Sequence, residues 1–213
     1  AITNQPHFDR LQADLEKAKK EGSTFKEVDA ERDNVLNILN ELVPVYKDLT
    51  AYDDSKAYMN DGGAKGKELA AKYVAAVEKF DAAYAKFNET LNKVNAEQSK
   101  KQIEKLKKDG KKGYAAAMES TLRLTELVDK LEKAPQNADK AAVEKELSEI
   151  EALLKSINND RGQVLADRYN SVVGDVRQVL ADPSDNNLNN MIEGFNGYID
   201  TYNSTTPDQF DAK

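Results

Sequence analysis

Between Asp53 and Tyr73 the chain reads DDSKAYMNDGGAKGKELAAKY, with Gly62-Gly63 shortly before Gly66-Lys67. Glycines beside a lysine are the raw material of a phosphate-binding loop, where bare amides wrap the anion and the ammonium neutralises it. That loop needs a first glycine with four residues before Gly-Lys, and then Ser or Thr to hold magnesium. Here the first-glycine position is Asp61, Gly62 leaves only three intervening residues, and Glu68 follows Lys67. No strand-like run precedes the stretch. The spacing therefore predicts an interhelical corner, with glycine supplying a positive φ at a helix stop. Lys65 and Lys67 fall near the next helix start, the end where the helix dipole disfavours cations. With Tyr58 they are kept as candidate ligand-binding residues.

Other groupings point to chemistry less strongly. DPSDNNLNNMIE, Asp182 to Glu193, places Asp182, Ser184, Asn186 and Glu193 at calcium-loop positions, but Asn187 stands where that loop needs Gly. Pro183 and Asp185 also suit a turn and a helix cap. His7 is the single histidine, so multi-histidine zinc sites and a triad are excluded, and a surface position is expected. No carboxylate pair stands in an apolar setting that would raise its pKa. In MIEGFNGYIDTYNS, Phe195-Asn196 and Tyr202-Asn203 lie one heptad apart. Aromatics at that spacing belong to a packed stripe, and an aromatic and amide groove for a polar ligand is the functional alternative. No metal, cofactor or enzymatic activity is expected.

Composition narrows the classes further. The 213 residues contain no Cys, which excludes disulfides and thiolate chemistry, and carry a net charge of −7. An acidic chain repels nucleic acid unless its basic residues are segregated. Lys100 to Lys112, KKQIEKLKKDGKK, is the richest basic run, but it has no aromatics for base stacking and reads as a solvated helix end. No apolar run is long enough to cross a membrane.

The elements that must position these residues follow from spacing. Apolar residues recur at steps of three and four: Val35, Leu39, Leu42, Tyr46 and Leu49, then Leu69, Tyr73, Val77, Phe80, Tyr84, Phe87, Leu91 and Val94. Later stripes run through Val143 to Ile157, Leu165 to Val179 and Leu188 to Tyr202. Breaks fall at Gly22-Ser23, Gly62-Gly63, Asp109-Gly110, Pro135, Asn158-Asn159 and Asp182-Pro183, while Pro44 interrupts the second stripe. Asp139 is placed to cap a helix. The expected fold is all-α: a single domain over 1–213, an elongated antiparallel bundle of about five to seven helices with coiled-coil-like packing. The tail 205–213 is expected to fray.

Tyr52, Lys56, Tyr58, Asp61, Ala64, Lys65, Gly66, Lys67 and Leu69 follow the order of a "Y…K.Y..D…AKGK.L" signature. On those residues, and on the Phe195-Asn196 and Tyr202-Asn203 ending, the chain over 28–204 resembles the YiiG-like lipoproteins of bacteria, a domain of unknown function. Gly63 and Ala70 depart from the aromatic and histidine common there, so a ligand role for that histidine does not transfer. The family's front end, with its lipid-attachment cysteine, is absent or replaced by a short helix. The resemblance implies an extracytoplasmic cell-envelope protein, on the periplasmic or surface side. It would be anchored through lipid at the N-terminus of its precursor, with an envelope partner or small ligand. It implies no reaction.

Overall fold

A computed structural model of the protein describes residues 8–212. His7, expected on the surface, lies outside the described residues. Nine α-helices are formed among them: α1 (Phe8–Glu21), α2 (Lys26–Asp54), α3 (Tyr58–Asp61), α4 (Ala64–Lys108), α5 (Lys112–Lys133), α6 (Lys140–Lys155), α7 (Asp160–Ala181), α8 (Asp185–Asn203) and α9 (Pro207–Phe210). A 3-10 turn at Pro135–Asn137 joins α5 to α6, and no described residue lies in a strand. The fold is an all-α, bundle-like one, as the apolar spacing predicts. The five expected stripes fall on α2, α4, α6, α7 and α8, and α3 and α9 are single turns of four residues.

Helix boundaries follow local chemistry. Gly22 ends α1 at φ 70°, and α2 continues through Pro44. It stops at Asp54, ahead of the expected Gly62-Gly63 break. The stop is a Schellman turn: the Lys56 amide donates to the Asp53 carbonyl at 2.9 Å and the Ala57 amide to the Tyr52 carbonyl at 3.2 Å. Lys56 therefore sits at φ 52°, the left-handed region normally left to glycine. The same turn ends α4, with Gly110 at φ 77° and the Lys111 amide donating to the Leu106 carbonyl at 3.0 Å.

The chain divides into two compact units, Ala1–Asn95 and Ala96–Lys213, and α4 contributes residues to both. In the first unit Leu15 of α1, Val35, Leu36, Leu39 and Leu42 of α2, and Phe80, Ala83 and Phe87 of α4 form one buried cluster. Phe8 sits edge-on to Phe80, with ring centres 5.3 Å apart. Arg32, only 7% exposed, is held by Asp29 at 2.7 Å and Asp33 at 2.9 Å, and donates to the Ala18 carbonyl of α1 at 3.4 Å. Its guanidinium holds the Asp33 carboxyl below the usual range.

In the second unit α5, α6, α7 and α8 pack in succession, and α8 returns to α5. Arg123 midway along α5 pairs with Glu146 of α6, and the antiparallel order of α6 and α7 shows in Glu144, early in α6, meeting Arg177, late in α7. Leu124, Leu131, Ile150, Leu154, Leu165, Tyr169, Val172 and Val176 fill the centre. Its buried hydroxyls are all engaged. Tyr169 donates to the Leu147 carbonyl at 2.5 Å, and the Tyr198 hydroxyl lies 3.1 Å from Ser120 Oγ and 3.2 Å from Thr121 Oγ1.

The tail corrects the expectation of fraying. Phe210 is 2% exposed, stacked between Tyr114 and Tyr202, and α9 opens with a capping box formed by Thr206 and Gln209. A polar stretch frays unless it carries one residue with a seat to fill, and Phe210 is that residue.

Lys56 is exposed, so its left-handed backbone is not offset by side-chain packing. Lys56→Gly is expected to stabilise the chain by about 1 kcal/mol by relieving the Cβ clash. Urea unfolding is the measurement, and an unchanged or lowered midpoint would refute the reading.

Candidate functional site

The corner between α2 and α4 is built around one carboxylate. The Tyr52 ring, in the last turn of α2, lies against the backbone of Gly66: a Cβ there would stand 2.6 Å from Tyr52 Cε1. The Tyr52 hydroxyl donates to Asp61 Oδ1 at 2.6 Å. That carboxylate also accepts from the Gly63 amide at 2.9 Å and the Lys65 amide at 3.2 Å. Gly62 and Gly63, at φ 63° and 85°, turn the chain so that Asp61 reaches over the start of α4. The Tyr52 hydroxyl, and then the two amides, hold the Asp61 carboxyl below its ordinary value. Burial, and then the neighbouring Asp61, push the Tyr52 hydroxyl up.

This geometry accounts for the lysines at the wrong end of a helix. The place an external phosphate would take is filled by the chain's own anion, which neutralises the positive end of α4. Lys65 and Lys67 are exposed. Lys65 helps, after Lys72, to hold the Glu68 carboxyl low, and Lys72 pairs with Glu68 at 2.6 Å. Tyr58 lies on α3, 42% exposed, beside Met59 at 76%. The signature residues Tyr52, Asp61 and Gly66 thus form a corner lock.

The α8 candidates lie in the other unit. Phe195 and Tyr202 are half-buried against the second core, and Asn196 and Asn203 are exposed. Tyr202 stacks on Phe210 with ring centres 6.0 Å apart, and burial, then the Tyr114 hydroxyl, raise its pKa. Sequence reasoning missed the residues that Tyr202 meets: Tyr114 is distant in the chain, and Phe210 is a lone aromatic in a polar tail. Asp182 to Glu193 does not form a loop around an ion: α8 begins at Asp185, so Asn186 onward is helical. Asn187 Nδ2 donates to the Asp182 carbonyl at 2.8 Å and to its carboxylate at 3.3 Å, closing the turn. Among the described residues no group of three or more His, Cys, Asp or Glu side chains is placed to hold a metal.

A cleft of about 590 Å³ between α5 and α6 carried no sequence signal. Arg123, Leu127, Lys130, Leu131, Val143 and Glu146 are among its lining residues. Arg123 donates from Nε and Nη2 to Glu146 at 2.6 and 2.9 Å, and also pairs with Glu149. Arg123 in turn holds the Glu146 carboxyl low. The wall is thus a neutralised fork over an apolar floor, suited to packing a small molecule and without a free strong charge at Arg123. Three lysines of the basic run are paired: Lys100 with Glu126 at 3.4 Å, Lys107 with Glu119 at 2.8 Å and Lys111 with Asp208 at 3.0 Å.

Fold and corner together define an all-α bundle-like protein whose most specific motif is an interhelical lock. The profile of a family described as a protein of unknown function (DUF3829) matches residues 2–182, and the chain belongs to that family. A search of curated proteins and a search of solved structures each find no match. The matched stretch begins ahead of the resemblance drawn from residue 28, so α1 is part of the family region. It ends before α8, which leaves Phe195 to Asn203 outside.

Two substitutions test the lock. Because the folded-state pKa of Asp61 is lowered, its contribution to stability is present above the ordinary value of 3.8 and is lost as pH falls through the folded value. Asp61→Asn is expected to lower the unfolding midpoint at neutral pH, with the gap to wild type closing below about pH 4; a pH-independent gap would contradict it. Gly66→Ala is expected to displace the Tyr52 ring, which tyrosine fluorescence and the shifted amides of Gly63 and Lys65 would report by NMR.

Proposed function

We propose that the chain is a non-enzymatic cell-envelope protein of the YiiG-like type, lipid-anchored through the N-terminus of its precursor, and that it acts by binding or as a scaffold. The observation that carries this reading is the chemistry of the signature itself. Tyr52, Asp61 and Gly66, which carry the likeness to YiiG-like lipoproteins, hold one another and the start of α4. A motif engaged in positioning helices suits a protein whose surfaces, and not a reacting centre, carry its role. The distribution of the other polar groups supports the same reading: Arg123 is held by Glu146 and Glu149, Tyr169 by the Leu147 carbonyl, and Tyr198 by Ser120 and Thr121.

A second reading, an extracytoplasmic small-ligand or metal-ion binder, has the α5–α6 cleft in its favour on the side of an organic ligand. Its apolar floor of Leu127, Leu131 and Val143 offers packing surface, and its rim is charged, with Glu126, Asp129, Lys130 and Asp139 among the lining residues.

The decisive measurement is on the full-length precursor expressed in its own cells. Labelled fatty acid is expected to be incorporated, and the protein is expected in the membrane fraction facing away from the cytoplasm. An unlabelled protein recovered with the cytosol would overturn the proposal.

A further inference from the structure

The C-terminal segment is held by a set of groups arranged like a peptide-binding seat. Phe210 enters between Tyr114 and Tyr202, with ring centres 6.1 and 6.0 Å away and planes tilted by only 15° and 26°. The Asp211 carboxylate accepts from the Gly113 amide at 2.6 Å and the Tyr114 amide at 3.4 Å, at the start of α5. Lys111 pairs with Asp208 at 3.0 Å. Asn159 Nδ2 faces three tail carbonyls, those of Gln209, Phe210 and Ala212, at 3.2, 2.9 and 3.1 Å. Gly113 leaves the room: a Cβ there would overlap the Phe210 carbonyl oxygen.

Seat and occupant are separable in construction. The gripping residues stand on α5, on the cap of α7 and on α8, helices fastened by a core centred on residues such as Leu124, Ile150 and Leu165. Asn159 Oδ1 accepts from the Gly162 amide at 3.0 Å, which aims its Nδ2 whether or not the tail is present. The occupant is a four-residue turn ordered by its own capping box and by Pro207. Lys111, Gly113, Tyr114 and Asn159 lie within the stretch that the family profile matches, whereas Tyr202 and residues 206–212 follow it. Aromatic sandwich, amide pair, ammonium and carbonyl clamp together read a short turn with Phe, Asp after it, and an acid two residues before it.

We propose that the starts of α5 and α7 with the end of α8 form a seat for such an aromatic–acidic peptide turn, and that residues 206–212 fill it in cis and can be displaced by a peptide of the same chemistry in trans. This stands apart from where the protein resides. Cis occupancy lowers the apparent affinity for a second peptide by the fraction of seats left open, so releasing the tail strengthens trans binding.

Fluorescein-labelled peptide 204–213, STTPDQFDAK, would be titrated by anisotropy against three full-length chains: wild type, Phe210→Ala with Asp211→Asn, and that pair with Gly113→Ala. Circular dichroism verifies their helix content, and Asp211→Asn alone is the milder release should the double variant lose structure. The released chain is expected to bind at least about tenfold more tightly than wild type. Binding should vanish with Gly113→Ala, which suits the α5 helix but fills the space under Phe210, and with a peptide carrying Phe210→Ala. No gain on release, or binding indifferent to Gly113 or to the peptide's Phe, would overturn the proposal.

Discussion

The need of helix starts for negative charge organises much of this protein. Each α-helix begins with amides that have no partner within the helix, and with the positive end of its dipole. Asp139 accepts the Ala141 and Ala142 amides for α6, and Asn159 accepts the Gly162 amide for α7. Like α6, which starts on Lys140, α4 and α5 have lysine and no acid in their first turns, but the residue before each, Gly63 and Lys111, is no anion. Both receive a carboxylate from outside the helix: Asp61 folds back across a double-glycine turn onto α4, and Asp211 arrives from the far end of the chain onto α5. Each delivery fixes an architecture, the α2–α4 corner in one case and the docked tail in the other. In both places a glycine makes the approach possible, since a side chain at Gly66 or Gly113 would collide with what sits there.

Burial holds the rest, and charge sets which helices face each other. Ion pairs such as Lys47–Asp9, Lys86–Glu31 and Arg177–Glu144 each have at least one partner open to water, where screening leaves them weaker than the burial of one leucine. Their value is in register: Lys47 joins α2 to α1, Lys86 joins α4 to α2, and Arg177 joins α7 to α6. Arg32 is different in kind. It is buried, so Asp29 and Asp33 must accompany it, and its bond to the Ala18 carbonyl ties the last turns of α1 to α2.

The helices were legible because their stripes are long. Val35, Leu39 and Leu42 are fully buried, as their spacing implies, as are Leu165, Val172 and Val176. Asp139 was legible as a cap because its partners lie two and three residues on. The corner was legible only in part. The glycines announced a turn, but Tyr52 and Asp61 lie nine residues apart with two turns of chain between, and no periodicity links them. Phe195 and Tyr202 were legible as stripe members. The ring that Tyr202 meets, Phe210, was not, because a lone aromatic in a polar tail has no local partner to mark it.

The sequence by itself determined the all-α class, most helix limits and the absence of thiol chemistry, since each depends on residue type and on neighbours within a few positions. Only the tertiary structure decided where α4 and α5 find their anions, what the glycines at 66 and 113 make room for, and that the last residues are docked. Those outcomes rest on contacts between segments separated by up to 98 residues, and directional contacts at that separation leave no trace in local spacing.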